Sequence, residues 1–168
     1  PLATADFPTV SPSPAPAAIL AGEKNSGVTI ISMTEEVDAG DILAQKEYIL
    51  KEDETADSLL TVLNTLGAQL VIDVIESYLE GSVKKTKQDS SKATYTHRLT
   101  KQDGLFDLLN PPNPLNLSRM IRAYYPWPGV WSKVPAKGWS ASGGKGKSGR
   151  SIIIKFLPGG NQIPDTRY

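Results

Sequence analysis

Cysteine is absent from this 168-residue chain, which excludes disulfides, thiolate metal sites and a cysteine nucleophile. A single histidine, His97, rules out a histidine-rich metal centre, so no metal is expected. No apolar run approaches the roughly 20 residues that cross a bilayer, and no membrane association is expected. The first residues, Pro1 to Asp6, carry neither an initiator Met nor the charged start of a signal peptide. A chain with this start is expected to be either a piece of a longer protein or a truncated gene product, and a cytoplasmic location is expected. No internal repeat is visible.

Net charge is also absent, but only as a sum. Residues 1–80 hold 14 Asp or Glu against 3 Lys or Arg, and residues 81–168 hold 4 against 15. Such asymmetry predicts two parts, the second facing a polyanion such as tRNA or DNA. Mutual attraction of the two halves is the other use of the same charges. The length fits one ordinary domain or two small ones, and the 39% hydrophobic content supports a core, modest for each half alone.

Five prolines among residues 1–18 predict an extended start, with a short helix from Ala17 to Ala21 stopped by Gly22. Val28 to Met33 reads as a buried strand and Ile42 to Leu50 as a second. Leu59, Leu63, Leu66, Leu70, Val74 and Tyr78 recur at helical spacing, with Thr55 as cap, Asp57 in the first turn and Gly81 beyond the end. Residues 82–92 form a basic linker carrying Lys84, Lys85 and Lys87. A second helix is capped by Asn113, starts at Pro114 and ends at Pro126. From Val130 to Leu157, short strand-like pieces between Gly, Pro and Ser suggest a small β-barrel.

Five ordered segments carry a family likeness: SPSPAPAAIL (Ser11 to Leu20), GEKNSGVTIISMTEEVDAGDIL (Gly22 to Leu43), ATYTHRLTKQDG (Ala93 to Gly104), IRAYYPWPGVW (Ile121 to Trp131) and IIIKFLPGG (Ile152 to Gly160). Together they resemble the second half of the methionyl-tRNA formyltransferases. The resemblance implies an α/β fold, with an incomplete Rossmann-like formyltransferase layer at 1–81, a linker at 82–92 and an OB-like tRNA-binding domain at 93–168. It also implies transfer of formyl from 10-formyltetrahydrofolate to methionyl initiator tRNA in translation initiation, by a monomer.

The family's catalytic Asp, in a D-x-G turn after a strand, matches Asp38 in Val37-Asp38-Ala39-Gly40. The resemblance assigns Val37, Ala39 and Gly40 to the folate side. A carboxylate suits the proton traffic of amine acylation, while Asp before Gly is also an ordinary turn signal. The family's Asn and His precede a Ser-Leu-Leu-Pro loop. This chain has no Asn before Asn25 and no His before His97. The expectation is therefore that it does not catalyse transfer unaided. A non-catalytic nucleic-acid-binding remnant and a sugar-nucleotide N-formyltransferase are the alternatives.

The expected tRNA contacts are Lys84, Lys85, Lys87, Arg98, Arg119, Arg122, Lys145, Lys147 and Arg150, with pairing to the acidic half as the competing role of Arg119 and Arg122. His97 is expected to face solvent or tRNA. Lys145-Gly146-Lys147-Ser148 lacks the earlier glycine of a P-loop, since Ala141 stands there. Among Tyr124, Tyr125, Trp127 and Trp131, the Trp127 indole is expected to plug a rigid corner rather than stack on bases.

Overall fold

The computed structural model describes residues 13–135 and 151–159. Helix α1 (Pro14–Ala21) opens on a proline in its first turn, where the missing N–H has no helical partner anyway. It therefore starts three residues before the expected Ala17. It stops as predicted at Gly22, which adopts a left-handed φ of 73°.

Strands β1 (Asn25–Ile31) and β2 (Ile42–Ile49) pair antiparallel, Asn25 opposite Ile49, with a bulge between Ile30 and Ile31. The pairing begins before Val28, and the bulge ends it at Ile31 rather than Met33. Met33, expected in a buried strand, is 97% exposed. The chain then runs through the acidic turn that carries Asp38. On the other edge of β2, Thr86 bridges to Ile42 through two backbone hydrogen bonds of 2.8 and 2.9 Å. The basic segment thus lies against the hairpin at this point.

Helix α2 (Ala56–Leu79) follows the predicted period closely. Thr55 and Ser58 cap it reciprocally, the Ser58 N–H donating to Thr55 Oγ1 at 3.2 Å and the Thr55 N–H to Ser58 Oγ at 3.0 Å. One face packs on the β1–β2 hairpin, and at Gly67 the lack of a side chain admits Val28 of β1. Leu59 is completely buried, whereas Ile72, Ile75, Tyr78 and Leu79 near the C-terminal end are more than half exposed. By length and composition alone α2 is long and apolar enough to cross a membrane. That amends the expectation drawn from unbroken apolar runs, which discounted a helix whose polar residues are mostly uncharged Thr, Asn, Gln and Ser.

Helix α3 (Pro114–Ala123) starts as predicted, Asn113 Oδ1 accepting from the Asn116 N–H at 2.8 Å. It ends at Ala123, ahead of Pro126. Strands β3 (Val130–Pro135) and β4 (Ser151–Phe156) pair antiparallel, Val130 opposite Phe156, and Leu105 adds a parallel bridge to Trp131. Among the described residues the second half is therefore one α-helix, two short 3-10 turns (Ser90–Lys92 and Lys101–Gly104) and a two-stranded sheet. The closed barrel expected there is not formed by these residues.

The core draws on both halves: Ala15, Ile19, Ala56, Leu59, Phe106, Ala123, Tyr124 and Val130 form one buried cluster. Phe106 and Phe156 add tilted rings 5.0 Å apart. Here the indole that plugs the joint is Trp131, 6% exposed, with its Nε1–H donating to the Lys101 carbonyl at 3.0 Å. Trp127, given that role from sequence, is 57% exposed. Its neighbouring prolines set the corner but turn its ring outward.

Candidate functional site

Asp38 lies in the turn between β1 and β2, at a φ of 56° in the left-handed region that non-glycine residues seldom enter. Its side chain is exposed, as are those of Val37 and Ala39. Gly40 is buried, and a Cβ there would collide with the Ser32 carbonyl. Glycine is thus required for the chain to close on itself at this point. The turn is tied to β1 by the Ser32 N–H, which donates to the Asp41 carbonyl at 2.9 Å. Among the described residues the Asp38 carboxylate has no hydrogen-bond partner, so it is open to a ligand.

A side chain from the basic segment holds this turn. The Gln88 amide NH2 donates to the Asp38 carbonyl at 2.7 Å and to the Gly40 carbonyl at 2.6 Å. Lys84, Lys85 and Lys87 are exposed on the same segment. Lys85 Nζ stands 5.7 Å from the centre of the Tyr78 ring, a cation–π distance. Gln88 had no signal in the sequence: a lone Gln beyond a lysine run reads as solvated.

Arg119 and Arg122 are both half-buried and face inward. The Arg119 guanidinium packs on Gly22, where a Cβ would strike it. Arg122 Nη1 donates to the Glu54 backbone carbonyl at 3.0 Å. Glu54 is itself buried, and its carboxylate accepts from the Tyr48 hydroxyl and from Ser58 Oγ, each at 2.8 Å. The bond to Glu54 holds the Tyr48 phenol above its usual pKa, with desolvation adding to the effect. A groove of about 480 Å³ opens beside Arg122, lined also by Glu52, Asp53, Leu117 and Pro158. Asp38 does not line it.

His97 is exposed and meets Asp103, Nε2 to Oδ1 at 3.1 Å. The Thr100 N–H, at 2.6 Å from Asp103 Oδ2, and the Thr100 hydroxyl hold the Asp103 pKa below the usual carboxylate value, and His97 adds to this. Arg98 and Tyr95 are exposed nearby in sequence. Two lysines absent from the sequence-derived set, Lys101 and Lys133, converge on the Trp131 ring at 6.0 and 5.6 Å. Their 32-residue separation hid the pairing, which follows only from the Leu105–Trp131 bridge. Lys145, Lys147 and Arg150 lie outside the described residues. Among the described residues no cluster of His, Asp and Glu could hold a metal ion.

Residues 12–75 match the formyl transferase family model. The methionyl-tRNA formyltransferase of Roseiflexus sp. (strain RS-1) is 38% identical over 129 residues, which is 75% of this chain and 39% of that protein. The chain thus spans about two fifths of the length of the curated relatives it matches. HypX from Aquifex aeolicus, solved in complex with tetrahydrofolic acid, superposes with a TM-score of 0.63 at 25% identity, covering 74% of this chain and 22% of that one. A 4-N formyltransferase from Francisella tularensis has a TM-score of 0.68 at 18% identity over 92% of this chain and 61% of its own, a likeness of fold alone. The turn around Asp38 falls inside the matched segment, and the β1–β2 hairpin with α2 is the part of the fold that carries it. The chain is thus similar to methionyl-tRNA formyltransferases over three quarters of its length, and to the formyl transferase family over residues 12–75.

Proposed function

We propose that this chain serves transfer of a formyl group from 10-formyltetrahydrofolate to the amino group of methionyl initiator tRNA, in the cytoplasm and as a monomer. The observation that carries the reading is the Asp38 turn, closed by Gly40 and lying inside the formyl transferase match. The chemistry of the turn suits the donor. Exposed Val37 and Met33 offer apolar surface to a flat heterocycle, and Ala39 and Gly40 keep bulk away from it. The donor, when bound, supplies an electrophilic formyl carbon. The attacking amine must lose a proton as its bond to that carbon forms, and the Asp38 carboxylate is the group of this chain that can accept or relay it. The family resemblance implies an Asn and a His as companions of this carboxylate. Asp38 is therefore one member of a catalytic set.

In this reading residues 1–81 contribute to the catalytic domain. Residues 82–92 and an OB-like 93–168 face the tRNA through Lys84, Lys85, Lys87 and Arg98, with Lys145, Lys147 and Arg150. Arg119 and Arg122 reach the tRNA only by leaving Gly22 and Glu54. The test joins this chain to the upstream portion of the Roseiflexus sp. relative and measures formyl transfer, alongside tRNA binding by the chain alone. Transfer by the chimera that falls at least about 100-fold in Asp38→Asn is expected. So is binding that weakens steeply between about 50 and 200 mM salt. Salt-sensitive binding without transfer would favour the non-catalytic remnant. Transfer only to a sugar nucleotide would favour the third reading, and full activity in Asp38→Asn would remove Asp38 from the mechanism.

A further inference from the structure

Gln88 makes the shortest side-chain link between segments far apart in the chain, and it makes it to the two carbonyls that define the Asp38 turn. Only the NH2 group of a glutamine can donate to two carbonyls, so the orientation of the amide is fixed by its partners. Both of its protons are used, one on each side of Ala39. The backbone of the same segment is anchored two residues earlier by the paired Thr86–Ile42 hydrogen bonds. Gln88 therefore reaches the turn from a segment pinned by a single β-bridge rather than from a free loop.

The turn needs such support. Asp38 sits at a positive φ, a backbone region that disfavours side chains. Its flanks, Thr34 to Ala39, are exposed and bury no apolar residue. Within the turn itself the other ties are the Thr34 hydroxyl, donating to the Glu36 carbonyl at 2.9 Å, and the Ser32–Asp41 pair at its base.

We infer that Gln88 is a positioning residue for Asp38, fastening the turn that presents the carboxylate to the basic segment bearing Lys84, Lys85 and Lys87. This deepens the formyl-transfer reading, but its first test does not depend on it. Gln88→Met keeps the volume without donors, Gln88→Glu replaces donors by acceptors, and Gln88→Lys restores a donor of comparable reach. In the chain as it is, cleavage by a glutamate-specific protease at Glu35 and Glu36 should quicken about tenfold in the Met variant, while the Glu variant, which adds a cleavage site of its own, is read with the Met variant by carbonyl resonances. Cleavage at Glu76 in α2 should stay unchanged. The carbonyl-carbon resonances of Asp38 and Gly40 should shift upfield in those two variants, and Gln88→Lys should reverse both effects in part. Unchanged cleavage and unchanged carbonyl resonances in Gln88→Met would overturn the inference.

In the chimera, Gln88→Glu should lower kcat about tenfold with KM for methionyl-tRNA unaltered. An equal rise in KM without loss of kcat would also overturn it, by assigning Gln88 to tRNA binding. A turn loosened in the chain itself, with a chimera inactive even as wild type, would refute the formyl-transfer proposal and leave the positioning role in place.

Discussion

Among the described residues each half contributes one antiparallel two-stranded sheet, and the two sheets bury opposite things. The β1–β2 hairpin is half-buried along one strand and leans on α2, and its purpose is to project a turn. In the β3–β4 pair, β3 carries Val130, Trp131 and Ser132 into the core. Its partner β4 leaves Ile152, Ile153 and Ile154 exposed in succession. Apolar content does not separate them, since β4 is the more uniformly aliphatic strand. Burial follows from what packs across: Val130 of β3 joins the cluster of Ala15, Ile19, Phe106 and Ala123, whereas β4 meets that cluster only through its last residue, Phe156, among the described residues. Among the described residues the Oγ of Ser132 is buried without a hydrogen-bond partner, a cost that the well-packed strand tolerates and the open one would not incur.

Leu59 against Leu79 sharpens this contrast most. Leu59→Ala removes a fully buried side chain from the shared cluster and should cost about 3 kcal/mol in urea unfolding. Leu79→Ala, at a residue 81% exposed on the same helix, should cost less than about 0.5 kcal/mol. Next come two glycines whose added Cβ would collide with backbone. Gly104→Ala drives the methyl into the Gly129 carbonyl beside Trp131 and should lose about 1–3 kcal/mol. Gly40→Ala strikes the Ser32 carbonyl, and its damage should appear first as faster protease cleavage at Glu35 and Glu36. A Gly40 variant that unfolds as readily as the Gly104 variant would break the distinction between a turn and a core.

Smaller effects belong to the caps. Thr55→Ala and Asn113→Ala each delete a side-chain acceptor at a helix start and should each cost about 1 kcal/mol by thermal unfolding. The smallest is a pH effect in the second half. The Asp103 pKa is depressed by Thr100 and then by His97. Its contribution is therefore present above the unfolded value near 4 and is lost as pH falls through the lower folded value. Asp107, depressed by the Leu109 N–H and then by Asn110, acts in the same direction. Asp103→Asn should flatten the acid limb of a stability–pH curve slightly, and an unchanged limb would assign acid sensitivity elsewhere.

Local chemistry made much of this legible in advance. Thr55, Asn113, Gly22 and Gly81 signal helix ends through their own backbone preferences, and the apolar spacing of α2 needs no tertiary information. Asp38 before Ala39 and Gly40 marks a turn by the same logic. What stayed hidden depends on distant chain meeting distant chain. Gln88 gains its role only where Thr86 pairs with Ile42. Arg122 is engaged because Glu54 lies opposite α3, and Trp131 outranks Trp127 because Leu105 runs beside it. The exposed end of α2 was hidden for the same reason, since a helical period shows that a face is apolar and not whether anything covers it.

The shared cluster has a consequence for synthesis. Ala15 and Ile19 find their burial against residues as late as Val130, and Glu54 meets Arg122 across 68 positions. A chain emerging from the ribosome at roughly 5–20 residues per second leaves α1 and the long apolar α2 without their partners for several seconds. Loop closure over such spans is slow and its entropic cost comes before its contacts form. The first half is thus a natural client for a chaperone until α3 and β3 arrive, and the last third of the chain acts as the clasp that completes folding of the first.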